Sequence, residues 1–221
     1  MKHAIIFTAL CSLLSSGHLS AQDEFYPPTV EISDHTLSRF LTELTLAVGK
    51  KDKDFILSHM DPNVLSSFGG NGGIDEFKEY WDFEKEHTTF WDELENILLI
   101  GGAKYEDGSG SYSIPYTFSD WPNEFDAFEH YLILGTHVNV RSAPSTENSK
   151  VLGQLSYRIV KLNQSPQDNS ENESQWFNIS TIDGKLTGYV HGKYLVSPVG
   201  YRMVLTKSTK GWVISSFVAG D

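Results

Sequence analysis

Val138-Asn139-Val140-Arg141-Ser142-Ala143-Pro144 is the stretch that decides the architecture. Apolar and polar residues alternate along it, the period of a strand with one buried face. Pro144 has no N–H to give to a ladder and ends the run. Working outward, the β-like runs are His137–Arg141, Val151–Leu155, Arg158–Leu162, Trp176–Thr181 and Gly188–His191, separated by turn residues. Gly192-Lys193-Tyr194-Leu195 reads as a single helical turn. Several short strands so closely spaced predict a small barrel. Asn163 to Gln175 is polar, lacks large apolar residues and predicts a long exposed loop.

These segments, in this order, resemble a bacterial SH3-like domain. The residues that carry the resemblance are Val138 to Pro144, Val151-Leu152-Gly153, Trp176-Phe177-Asn178-Ile179, Gly184, and Gly188-Tyr189-Val190-His191-Gly192-Lys193-Tyr194-Leu195. It covers residues 133–196. Tyr157 departs from the pattern, standing where such domains often place glycine, and so does the long loop. The resemblance implies extracytoplasmic binding, often to cell-wall peptides or to other proteins. It implies no catalysis.

Upstream the pattern changes. Asp34 is an N-cap for a helix from His35 to about Val48, with Leu37, Phe40, Leu41, Leu44 and Val48 on one face. A second short helix carries Phe55, Ile56, His59 and Met60 and is expected to end at Asp61-Pro62. Ser67-Phe68-Gly69-Gly70-Asn71-Gly72-Gly73 precedes a helix from Ile74. A Gly-rich loop at a helix start can cradle phosphate, but Asp75 and Glu76 would repel an anion there. Phe90 to Ile100 is again helical, and Ser111 to Phe118 alternates as a strand.

Tyr201–Leu205 and Trp212–Val218 flank Ser208-Thr209-Lys210-Gly211, a hairpin signal. A lone hairpin is marginal in water, so these strands are expected to return and pair with the Tyr112–Phe118 strand. The helices-then-sheet order is loosely similar to the nuclear-transport-factor-type α+β cone. The expected fold is therefore α+β. A helical, acidic domain (22–132) is completed by a C-terminal hairpin (197–221), and the SH3-like barrel (133–196) is inserted before that hairpin.

The chain has 221 residues and a net charge of −12. Residues 22–131 carry 7 basic and 23 acidic residues, whereas residues 132–196 carry 6 and 5. The acidic segment disfavours nucleic acid and anionic membranes as partners. Lys2 and His3 precede an apolar run to Leu14, and Leu19-Ser20-Ala21 offers small residues for cleavage. This is the pattern of a signal peptide over residues 1–21, cut near Ala21/Gln22. The run is too short to span a bilayer. A periplasmic or secreted protein is expected. The single Cys11 falls in that signal, which leaves no thiol for catalysis or metal binding.

No catalytic motif is legible. The histidines show no metal-ligand spacing, so no metal and no cofactor is expected. Gly108-Ser109-Gly110 lacks the frame of a nucleophile turn. Asp120, Glu124 and Asp126 near Trp121 would need burial to do acid–base work. The candidate ligand-binding residues are Asn139, Arg141, Tyr157, Trp176, Tyr189, His191 and Tyr194. Flat amphipathic rings suit peptide contact, although the strand setting of Trp176 and Tyr189 favours the core. The function expected is that of an exported, non-enzymatic binding protein for peptidoglycan peptide or another exported protein. The alternative is a cell-envelope hydrolase, with a carboxylate site in the acidic domain and the module for targeting. A pocket with two converging buried carboxylates would favour the alternative.

Overall fold

The computed structural model describes residues 23–28, 32–82, 85, 88–105, 108–163 and 175–220. The expected signal segment with Cys11, and residues 164–174 of the expected loop, lie outside them. Helices and two sheets make an α+β architecture.

Helix α1 (His35–Gly49) begins where Asp34 accepts from the N–H groups of Thr36 and Leu37, at 2.8 and 3.2 Å. Its face of Leu37, Phe40, Leu44 and Val48 is buried. Helix α2 (Lys53–Ser58) is shorter than the sequence predicts. Met60 opens a strand instead, β1 (Met60–Leu65), and the chain passes through Pro62 without stopping. The reason is position. β1 is an edge strand, paired in parallel with one neighbour, so the missing N–H of Pro62 can face away from the ladder.

The Gly-rich loop leads into α3 (Ile74–Trp81). The Glu76 carboxylate folds back into this loop and accepts from Asn71 N–H at 2.7 Å, Gly72 N–H at 3.1 Å and the Ser66 hydroxyl at 3.2 Å. A Cβ on Gly70 would lie 2.0 Å from Glu76 Oε1, so a larger residue there would displace this carboxylate. The loop is thus filled by the protein's own anion. Glu76→Ala leaves these donors without their acceptor and is expected to cost about 1–3 kcal/mol. Glu76→Gln, which keeps an acceptor oxygen, should lose less. Urea midpoints of the two variants and wild type give the comparison; an alanine variant as stable as wild type would show that the loop stands without this contact.

Helix α4 (Phe90–Ile100) packs on α1 and on a five-stranded sheet. That sheet has the order β1-β12-β11-β3-β2, with β2 at Ala103–Lys104, β3 at Tyr112–Ile114, β11 at Arg202–Ser208 and β12 at Gly211–Val218. The hairpin β11–β12 lies against β3 with Met203 opposite Ile114 and Leu205 opposite Tyr112. β3 stops short of the expected Phe118. Pro115 has no donor for the ladder, and the chain turns into α5 (Tyr116–Ser119). The core between helices and sheet is aromatic, and Phe217 of β12 meets Trp81, Phe90 and Tyr201 at ring-centroid distances of 5.2–5.5 Å.

The second sheet has seven strands in the order β10-β4-β7-β8-β9-β5-β6. They are β4 (His130–Ile133), β5 (Val138–Arg141), β6 (Val151–Leu155), β7 (Arg158–Leu162), β8 (Trp176–Thr181), β9 (Thr187–His191) and β10 (Leu195–Val196). Ile133, Val140, Val160, Ile179 and Val190, from five of these strands, share one cluster. Neighbouring strands are ~4.8 Å apart, so a sheet this wide must coil to bring its members together. It does not close into the expected barrel. Among the described residues, edge strand β10 pairs only with β4, and edge strand β6 only with β5. β10 is two residues long before Ser197-Pro198 leads the chain away, so it offers little edge for a further strand to pair with.

The lead-in is also more than extended chain. Glu24 forms a bridge with Arg158, Ile159 N–H donates to Asp23 O at 2.7 Å, and Phe25 N–H donates to Tyr157 O at 2.8 Å. Asp23 pairs with Arg158 at 2.5 Å. The Phe25 ring sits between Tyr116 and Trp121, and the Tyr116 hydroxyl donates to Phe25 O at 2.9 Å. A small third cluster, built on Ala103, Tyr116 and Leu132, joins the two sheets at this point.

Candidate ligand-binding cleft

Alternation along the second sheet sends two sets of side chains in opposite directions. On β5, Val138 and Val140 are buried while Asn139 and Arg141 face out; on β9, Gly188 and Val190 are buried while Tyr189 and His191 face out. Trp176 of β8 is opposite His191 in register, and their rings meet edge to face at 5.3 Å. These outward residues border a cleft of about 190 Å³. Five of the seven candidate residues line it: Asn139, Arg141, Trp176, His191 and Tyr194. All of its lining residues lie between Thr136 and Tyr194, so among the described residues the acidic domain does not cover it.

Several polar groups in the cleft have defined partners. Asn139 Oδ1 accepts from Gln154 Nε2 at 2.9 Å. Arg141 Nη1 donates to Thr146 O at 3.4 Å and Ser149 Oγ at 3.3 Å. The single 3-10 turn Gly192–Tyr194 is capped by His191, whose Nδ1 accepts from Lys193 N–H at 3.2 Å. In the neutral ring the proton therefore sits on Nε2, a donor. Lys193 Nζ lies 4.8 Å from the centre of the Tyr194 ring.

Two candidates stand elsewhere. Tyr157 occupies the turn between β6 and β7 with φ +44°, the left-handed region that favours glycine. Its ring packs on Tyr26, 5.0 Å between centroids, at the lead-in and not in the cleft. Tyr189 is half-buried on the outer face but does not line the cleft. Neither Tyr189 nor Trp176 belongs to the buried core, contrary to the strand-based expectation: both point away from the Val140–Val190 side of the sheet. The cleft also includes Lys193, His137 and Thr146, which sequence reasoning missed. The clue to Lys193 is its place in the one-turn helix that follows His191, directly before Tyr194.

A second groove, about 380 Å³, lies in the acidic part against Leu37, Tyr112 and Trp212 and contains Asp34 and Asp120. Asp34 does not suit acid–base work. Lys207 at 2.7 Å, the Thr36 hydroxyl and two amides hold its carboxyl far below the usual carboxylate range. Asp126 accepts from Phe128 and Glu129 N–H groups as a turn former. Glu93 on α4 has its pKa raised, by burial first and by Asp92 second, but it lines neither the cleft nor the groove. Among the described residues no group of three His, Cys, Asp or Glu could hold a metal ion, and no helix is long and apolar enough to cross a membrane.

A coiled, open sheet around a small apolar core, with a cleft on its outer face, has the form of a compact β-module. The model of the bacterial SH3 domain family matches residues 136–196, the segment from the start of the cleft to the end of β10. The match suggests a binding or targeting module of the kind typical of periplasmic or extracellular proteins. Neither the curated proteins nor the solved structures gave a match to the chain.

Proposed function

We propose that this is an exported, non-enzymatic binding protein. Its SH3-like module, residues 133–196, is inserted in an acidic α+β host (22–132 and 197–221) and recognises a peptide segment, from the cell wall or from another exported protein. The observation that carries this reading is the convergence of Trp176, His191, Tyr194, Asn139 and Arg141 on one open cleft. Aromatic rings beside hydrogen-bonding groups give a peptide apolar contact and orientation together. The acidic host acts as a platform, held to the module by the Asp23–Phe25 strap and the Tyr116–Leu132 contact.

Retention on purified peptidoglycan, and capture of purified exported proteins, test this directly. Wild type should be retained and Trp176→Ala should lose most of that retention, about tenfold or more, the range of a binding hot spot. Tyr189→Ala, outside the cleft, should behave like wild type. Equal retention of all three proteins would refute the cleft as the binding site.

A further inference from the structure

The lining of the cleft carries a charge pattern that goes beyond peptide recognition. Arg141 and Lys193 both border it, with no carboxylate among its lining residues. Elsewhere in this segment, Arg158 is paired with Asp23, Lys161 with Glu129 and Lys185 with Asp183, while Lys150 has no ion pair among the described residues. Arg141 instead spends one nitrogen on two long bonds to neutral oxygens, and among the described residues its other donors have no protein partner. Among the described residues the Lys193 ammonium has the Tyr194 ring as its one neighbour of this kind. His191 adds a donor at Nε2, since its Nδ1 is occupied as an acceptor. Among the described residues the cleft is rich in donors and positive charge and has no anion in its lining.

Resting on the peptide-binding reading above, we propose that the cleft selects a peptide by a free carboxylate seated at Arg141 and Lys193, with the adjoining residue against Trp176. The volume fits this occupant. At about 190 Å³ the cleft is smaller than a typical small-molecule pocket of ~300–1,000 Å³, so it holds one residue of an extended chain. Charge-assisted hydrogen bonds from a guanidinium and an ammonium supply the affinity. A polyanion fits less well. The net charge of −12 repels it at long range, whereas a single carboxylate feels mainly the local cations.

The test uses the full chain and a synthetic stem pentapeptide of the cell wall, L-Ala–D-Glu–L-Lys–D-Ala–D-Ala, compared with the same peptide carrying amidated carboxyls. Titration calorimetry should give at least tenfold tighter binding for the free acid, weakening with salt. Lys193→Gln and Arg141→Gln should each lose about fivefold or more for the acid and nothing for the amide. Arg141 also braces the 142–149 loop, so Lys193→Gln alone carries the comparison if circular dichroism shows the Arg141 variant to be misfolded. Equal binding of acid and amide would overturn carboxylate selection and leave the peptide-binding reading standing. Binding of neither peptide, with peptidoglycan or an exported protein still retained, would do the same. Binding of neither, with no retention of either, would overturn both.

Discussion

Phe217→Ala is expected to destabilise the protein by about 3–5 kcal/mol, the range for truncating a buried aromatic ring. Phe217 is 1% exposed. It is the meeting point of three elements: Trp81 at the end of α3, Phe90 at the start of α4 and Tyr201 beside β11. Few of these neighbours can move into the space. Trp81 and Phe90 are themselves buried, and they already contact each other at 5.3 Å. The vacated volume therefore persists as a cavity, which adds to the lost transfer free energy. Urea unfolding followed by tryptophan fluorescence should show the early transition. The amides of β7 and β8 should keep their hydrogen-exchange protection at urea concentrations where those of α1 and β12 have lost it. A change below about 1 kcal/mol would mean that the hairpin is not anchored by this ring.

Gly188→Ala should act on the other sheet. An added Cβ would lie 2.5 Å from the Arg141 carbonyl oxygen and 2.9 Å from Val140 Cγ1. Backbone cannot yield as a side-chain tip can, so β9 must separate from β5 where Arg141 faces Tyr189. Overpacking of this kind costs about 1–3 kcal/mol or more. It also displaces Arg141 and with it the cleft. The expected result is loss of peptidoglycan retention with the aromatic core of the first sheet intact. Gly153→Ala is the control. Its Cβ would meet Leu186 Cδ2 at 2.8 Å, the mobile end of a side chain, so binding should survive. Retention by Gly188→Ala at the wild-type level would mean that β5 and β9 can part without harm to the cleft.

What could be read in the sequence was local. Val138 to Arg141 alternates cleanly because one face is buried, and Asp34 announces α1 because a cap acts within three residues. The boundaries of β6, β7 and β8 follow for the same reason. β1 was not legible, because Pro62 argues against a strand unless that strand is known to lie at an edge. The strap was not legible either: pairing of Glu24 with Arg158 joins residues far apart in the chain, and no local pattern signals it. At the cleft, alternation placed Asn139 and Arg141 outward. It could not say that Tyr157, in a left-handed turn, would face Tyr26, nor that the turn after β9 would swing Lys193 in beside Trp176.

The parallel pairing of β1 with β12 bears on how the chain reaches its native state. Met60 and Ile214, partners in register, are 154 positions apart. The strands of the second sheet, by contrast, all lie between His130 and Val196. Contacts of short sequence separation form fast, and those that close long loops form late. The second sheet can therefore be complete while the first still lacks two of its three inner strands, β11 and β12. The aromatic face that Phe217 will cover stays open until the last residues are available. Residues 130–196 thus lie between Ile114 and Met203 in the chain, and completing the second sheet shortens the loop that their pairing must close.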